Sequence, residues 1–155
     1  MGLIEDIGRG PVGLDTAVFI YLIEEHPQFL TTVEPVFAAI DAGALQGVTS
    51  ALTLLETLVA PYRAGNAALA QKYEALLTRS RNIHLLELHR PLLRAAAQLR
   101  ATFGVKPPDA LQLAAALTWG CPFYLTNDRE LPAIPGMRLL QLRDYLPPKF
   151  RSRAT

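Results

Sequence analysis

Apolar positions along this chain alternate between short unbroken runs and helical spacings. Val12 to Leu14 is a short apolar run ending at Asp15 and reads as a first strand, with Met1 to Pro11 ahead of it as a loose or accessory segment. Thr16 to Glu25 follows as a helix stopped by Pro27, and Gln28 to Ala42 as a second helix closed by Gly43. Phe29, Val33, Phe37 and Ile40 recur there at helical spacing and share one face. Leu45 to Thr49 reads as the second strand, Ser50 is placed to cap a helix running to about Ala64, and Asn66 opens another that fades near Ser80. Ile83 to Leu88 reads as a third strand and Arg90 to Phe103 as a helix, with Leu92, Leu93, Ala96, Leu99 and Phe103 near one side and Gly104 as its stop.

Pro107 and Pro108 introduce the most apolar helix, Asp109 to Trp119, whose apolar residues run all round it and predict burial on more than one side. Gly120 closes it. Phe123 to Thr126 is a strand, a short helix is expected around Arg129 to Ala133, and a last strand covers Arg138 to Leu142. Strands alternating with helices throughout predict an α/β fold, a mainly parallel central sheet flanked by helical layers.

Composition narrows the class. The 155 residues match one ordinary domain, and half are hydrophobic, enough for a core without disulfides or a structural metal. Cys121 is the single cysteine, which excludes an internal disulfide and any multi-cysteine zinc or iron-sulfur site. The formal net charge of +1 does not mark a nucleic-acid binder. Its distribution is more informative: Arg79, Arg81, Arg90, Arg94, Arg100 and Lys106 face only Glu87 across their stretch, and Lys149, Arg151 and Arg153 make a basic tail. No leader pattern and no long apolar run is present, so a cytoplasmic protein without membrane association is expected. Residues 1–11 are read as an extension, 12–146 as the domain and 147–155 as the tail.

Four carboxylates stand in chemically notable places. Carboxyl ends of parallel strands open onto the functional crevice of α/β folds. Asp15 ends the first strand, and Asp128 lies just beyond the strand ending near Thr126. Glu56 borders the stripe formed by Leu52, Leu55, Val59 and Tyr62, and Asp109 opens the apolar helix. Each has a plain structural account: Asp15, Asp128 and Asp109 as helix caps or first-turn acids, Glu56 as a boundary residue with a packed stem. Taken jointly they suggest more, because crowded carboxylates resist ionising together and call for a cation. Oxygen donors without cysteine suit Mg²⁺ or Mn²⁺, which can orient a phosphodiester and activate water.

Leu14-Asp15-Thr16-Ala17, Thr49-Ser50 followed by Glu56, Pro108-Asp109-Ala110-Leu111-Gln112-Leu113-Ala114-Ala115-Ala116 and Thr126-Asn127-Asp128-Arg129-Glu130-Leu131 together resemble the PIN domain, and within it the VapC-type toxins of toxin-antitoxin pairs. The resemblance spans roughly Val12 to Leu142. It implies a three-layer PIN-like domain acting as a Mg²⁺- or Mn²⁺-dependent endoribonuclease, with Asp15, Glu56, Asp109 and Asp128 as the metal-holding and catalytic acids. Thr16 and Thr126 fall where polar side chains flank the site in relatives, Asn127 lies in the same stretch, and Glu130 is the substitute should Asp128 be misassigned. The resemblance further implies an RNA substrate, a small antitoxin partner and a homodimer. Two departures stand out: the first acid lies further along the chain than in many relatives, and Gly104-Val105-Lys106-Pro107-Pro108 lacks the arginine that many relatives carry before the third acid.

A nuclease acting in RNA processing or on DNA without an antitoxin, and a non-catalytic RNA-binding or scaffold protein, are the alternatives on the same fold. The basic stretch is available for backbone phosphates or is simply a solvated face. Phe19, Tyr21, Leu22, Phe29 and Phe37 are offered either as core or, in part, as a dimer interface. Tyr62, Trp119 and Tyr124 read as core, Cys121 as a buried small hydrophobe, and His26, His84 and His89 have no metal-ligand spacing.

Overall fold

The computed structural model describes residues 2–151. The chain runs α1 (Leu3–Ile7), β1 (Val12–Leu14), α2 (Thr16–Ile23), α3 (Leu30–Asp41), β2 (Gly47–Ser50), α4 (Leu52–Arg63), α5 (Ala67–Arg79), β3 (Ile83–Leu86), α6 (Arg90–Phe103), α7 (Pro107–Trp119), β4 (Phe123–Thr126) and β5 (Arg138–Gln141), then a 3₁₀ turn at Leu142–Tyr145 and α8 (Pro148–Arg151). The strands form one sheet in the order β3-β2-β1-β4-β5, and every pairing is parallel. Val12 pairs with Gly47 on one side and with Phe123 on the other.

This order decides where chemistry can sit. From β1 the chain moves outward through β2 to β3, then returns to place β4 and β5 on the other side of β1. The connections therefore diverge between β1 and β4, and a crevice opens beyond their carboxyl ends. Asp15 follows β1 and Asp128 follows β4, so both lie at that divergence.

Two apolar layers cover the sheet. Val12, Leu14 and Leu125 pack with Val18, Phe19, Val33 and Phe37 on one face, while Val48 and Tyr124 pack with Leu92, Leu113 and Ala116 on the other. The alternation of β1 and β4 residues between the two layers is the two-residue period of a strand buried on both faces. Gly13 lies on the α7 side, where an added Cβ would come within 2.7 Å of both Ala116 Cβ and the Tyr124 ring. The bare backbone here lets α7 press against β1, which brings the start of α7, and with it Asp109, toward the end of β1.

Several expectations are corrected. The segment ahead of β1 is not loose: Leu3 and Ile7 of α1 are buried in the first layer, and Tyr145 Oη donates to Asp6 Oδ2 at 2.5 Å. No helix forms around Arg129 to Ala133; the stretch is turn and irregular chain, followed by a bridge between Ile134 and Met137. Pro132 and Pro135 each remove an N–H and disfavour helical geometry in the residue before them, so the apolar spacing there never becomes a helix. Phe19, Phe29 and Phe37 are core rather than interface, each under 10% exposed, while Tyr21 and Leu22 are half-buried.

Tyr62 and Trp119 are not core either. α4 turns Thr53, Thr57, Leu58 and Pro61 inward and leaves Leu55, Val59 and Tyr62 facing out, with Leu55 and Tyr62 each 63% exposed. Trp119, at the end of α7, is 44% exposed and stacks on His84 of the edge strand β3 with ring centroids 4.3 Å apart. Tyr124 and Cys121 are buried as expected, and burial pushes the Cys121 thiol up to about 12. In the basic tail, Arg151 donates through Nε to Leu146 O at 2.9 Å; Arg153 lies outside the described residues.

Candidate functional site

Asp15 is fixed first by its backbone. Its N–H donates to Leu125 O at 3.0 Å, extending the β1–β4 ladder by one residue, and the chain then turns directly into α2. The carboxylate is held at both oxygens: Oδ1 accepts from Thr16 N at 2.8 Å and Oδ2 from the Thr126 hydroxyl at 2.7 Å. The capping role and a place in the crevice thus coincide in one residue. Burial raises the carboxyl above its ordinary value, the bonds from Thr126 and Thr16 work in the opposite direction, and the charge of Asp128 raises it further.

Glu56 sits on the second turn of α4 with an exposed side chain, and its Oε1 accepts from Thr16 Oγ1 at 2.8 Å. Asp109 lies in the first turn of α7, and its carboxylate takes no hydrogen bond among the described residues. Its carboxyl is raised first by burial and then by the charges of Asp15, Asp128 and Glu56, with Lys106 opposing. The fold therefore gathers four acids that are scattered along the sequence into a common electrostatic neighbourhood.

Asp128 is set by a compact turn. Its N–H donates to Thr126 Oγ1 at 3.1 Å, its Oδ1 accepts from Glu130 N at 2.9 Å, and its carbonyl accepts from Gln141 Nε2 at 3.0 Å. Asp128, Asp109, Glu130 and Lys106 line an open cleft of about 260 Å³ whose apolar wall includes Phe103, Val105 and Leu131. Asn127 instead donates from Nδ2 to Tyr21 Oη at 3.3 Å, away from the cleft residues. Below the acids, the phenol of buried Tyr124 is raised well above its ordinary value by burial and by Asp15 and Asp109.

Among the described residues no cation balances this charge by contact: the one ion pair, Arg129 to Asp144 at 3.5 Å, involves none of the four acids. An all-oxygen donor set carrying uncompensated carboxylates fits a hard divalent cation such as Mg²⁺ or Mn²⁺. The side chains are gathered without being closed around a point: among the described residues no three His, Cys, Asp or Glu form a ready ligand group.

Sequence reasoning passed over the most connected polar residue. Gln112, buried in α7, accepts at Oε1 from Ser50 N at 3.2 Å, Ser50 Oγ at 3.0 Å and Thr49 Oγ1 at 3.2 Å, and donates from Nε2 to Thr53 Oγ1 at 2.7 Å and Thr16 Oγ1 at 3.1 Å. A glutamine one turn after Asp109 on an otherwise apolar helix was the available signal, because a buried amide must find partners. Within the basic stretch, Arg100 Nε donates to Val105 O at 3.0 Å and braces the α6–α7 loop.

The PIN domain family matches residues 12–137 of the chain. Among solved structures, a toxin-antitoxin complex from Klebsiella pneumoniae aligns at 20% identity and TM-score 0.62, covering 85% of this chain and 97% of that one. A DNA-bound VapBC from Salmonella typhimurium aligns at 22% identity and TM-score 0.60 over 85% and 98% of the two chains. A sarcin-ricin loop cleaving toxin from Mycobacterium tuberculosis aligns at 17% identity and TM-score 0.62 over 77% and 91%. At these identities the likeness is one of fold. No curated protein matches the chain.

Proposed function

The chain belongs to the PIN domain family, and from that membership we propose that it is a divalent-metal-dependent endoribonuclease, the toxin component of a toxin-antitoxin pair. The observation that carries the reading is the gathering at Asp109: its carboxyl is raised by burial and then by the charges of Asp15, Asp128 and Glu56, and among the described residues no cationic side chain forms an ion pair with any of the four. In this reading Asp15, Glu56, Asp109 and Asp128 hold the ion, with Asp15 and Asp109 as the principal direct ligands. A bound Mg²⁺ or Mn²⁺ supplies neutralising charge at the scissile phosphate and lowers the pKa of the attacking water.

The chain's own residues supply the rest. Thr126 and Thr16 keep the Asp15 carboxylate in place through its two oxygens, so little ordering remains when a ligand arrives. Thr16 does the same for Glu56. Lys106 stands beside Asp109 and Asp128 in the cleft and provides a positive charge for the RNA backbone next to the acids. The antitoxin is part of the proposal, supported by the similar structure described as a toxin-antitoxin complex; the homodimer is proposed from the family resemblance alone.

Cleavage of a defined RNA panel by purified protein, with and without Mn²⁺ and with EDTA, tests the reading. Metal-dependent cleavage that a co-purifying small partner suppresses is expected. A protein that binds RNA but leaves every member intact under all metal conditions would make it a binding module. Sedimentation of the isolated chain tests self-association, and a monomer at tens of micromolar contradicts the dimer.

A further inference from the structure

We infer that Gln112 is a positioning residue for the acidic site: its buried amide fixes the direction of a hydroxyl relay that ends on Glu56. The inference rests on the metal reading above and assigns it a part beyond the four acids.

The orientation of the amide follows from one partner. Ser50 N is a backbone N–H and can only donate, so the Gln112 atom facing it at 3.2 Å must be Oε1. Ser50 Oγ and Thr49 Oγ1 supply two further protons to the same oxygen. Nε2 then faces Thr16 and Thr53 and donates to both hydroxyl oxygens. Thr16 Oγ1 receives that proton and donates its own to Glu56 Oε1 at 2.8 Å, a carboxylate oxygen that can only accept, which is shorter than the alternative contact with Thr53 Oγ1 at 3.3 Å. Thr53 Oγ1, also an acceptor, lies 2.7 Å from Thr49 Oγ1, whose proton goes to Gln112 Oε1. Amide, Thr53 and Thr49 thus close a ring, and Thr16 is the branch that leaves it.

The placement of the ring gives it a function. Gln112 lies one turn after Asp109, Thr16 follows Asp15, and Thr53 lies one turn before Glu56. One amide therefore ties together the elements that carry three of the four acids, from inside the protein and without being an acid itself. A core in which α7 needed only to pack would place an apolar side chain here, as it does at Leu113, Ala114, Ala115 and Ala116. Partners that orient ligands to a metal typically change affinity or activity by about 10–100-fold when removed.

The test uses the full chain and Mn²⁺ as the probe, with binding followed by electron paramagnetic resonance. Gln112→Met keeps the side-chain length and removes both the donor and the acceptor; it should weaken Mn²⁺ binding about tenfold. It should lower kcat for RNA cleavage at saturating metal and leave KM for RNA near wild type. Thr16→Val, at the far end of the relay, should reproduce the loss should Gln112→Met not fold, and Thr16→Ser should restore it. In a Glu56→Gln background Gln112→Met should add little further loss, since both act through the same carboxylate. In metal-free protein, the unfolding effects of Gln112→Met and Glu56→Gln should be non-additive with Thr16 present and additive in Thr16→Val. Wild-type Mn²⁺ affinity in Gln112→Met, or a full multiplicative loss in the Glu56→Gln background, overturns the positioning role and leaves the metal reading standing. Wild-type protein that takes up no Mn²⁺ overturns both.

Discussion

The two halves of the acidic site are built differently. On the β1–α4 side, Asp15 is bonded at both carboxylate oxygens and Glu56 is held by Thr16, over a hydroxyl ring centred on Gln112. On the cleft side, the Asp109 carboxylate has no hydrogen bond among the described residues and the Asp128 carboxylate is tethered through one oxygen, beside Lys106 in open space. The first half has its geometry before any ligand arrives. The second keeps free lone pairs and access to solvent, which in the proposed reading suits residues that meet an incoming ion and substrate. A site of this kind combines a preset reference point with an open mouth.

The sharpest way to break the contrast is at its fixed point. Asp15→Asn keeps the volume and removes the charge; metal-stimulated RNA cleavage should fall at least about a hundredfold, while the circular dichroism spectrum stays that of wild type. Unchanged cleavage would remove Asp15 from the site. Metal should next show itself as stability, because an ion that binds only the folded state at a hundred times its Kd adds about 2.7 kcal/mol. For a domain of this size that is a rise in Tm of about 5–10 °C, reversed by EDTA. The rise should shrink in Asp109→Asn and in Glu56→Gln, and identical melting curves with and without Mn²⁺ would contradict the account.

A smaller effect is expected at the open mouth. Lys106→Ala should raise KM for RNA a few-fold and flatten its salt dependence with kcat nearly unchanged, as for loss of a backbone phosphate contact. A drop in kcat alone would place Lys106 in the chemistry instead. The smallest effect is on metal-free protein. Asp15 and Asp109 have folded-state pKa values raised above those of the unfolded chain, so the native state binds more protons in the window just above pH 4. Their contribution to stability is full below the unfolded value and is lost as pH rises through the folded values. Urea titrations of the metal-free chain should therefore show stability declining with pH across this window, and the decline should be shallower in Asp109→Asn.

Much of this was legible in the sequence because burial on both sheet faces leaves unbroken apolar runs, and because α7 is apolar all round. Both features follow from the three-layer arrangement. Asp15, Asp109 and Asp128 could be nominated from strand and helix ends, since a parallel sheet sends those ends to one edge, whereas Glu56 could be nominated only as a residue bordering the apolar stripe of its helix. What could not be read was which side of α4 faces inward. Helical periodicity assumes that the apolar stripe is the buried one, whereas α4 buries Thr53 and Thr57 with Leu58 and leaves Leu55 and Tyr62 in solvent. Thr53 must face inward to reach Gln112, so a polar network overrides the pattern. Gln112 itself was hidden for the same reason: its partners come from β2, α2 and α4, and only the fold brings them to it.

The central claim is that these acids hold one divalent site at the divergence of β1 and β4. Crystals of the full chain grown with Mn²⁺, with data collected at the manganese absorption edge, test it most directly. The account predicts an anomalous peak coordinated by Asp15 and Asp109, with Glu56 and Asp128 bonded to it directly or through water, and loss of that peak in Asp15→Asn. Manganese bound only elsewhere on the surface, or no peak at millimolar Mn²⁺, would contradict it.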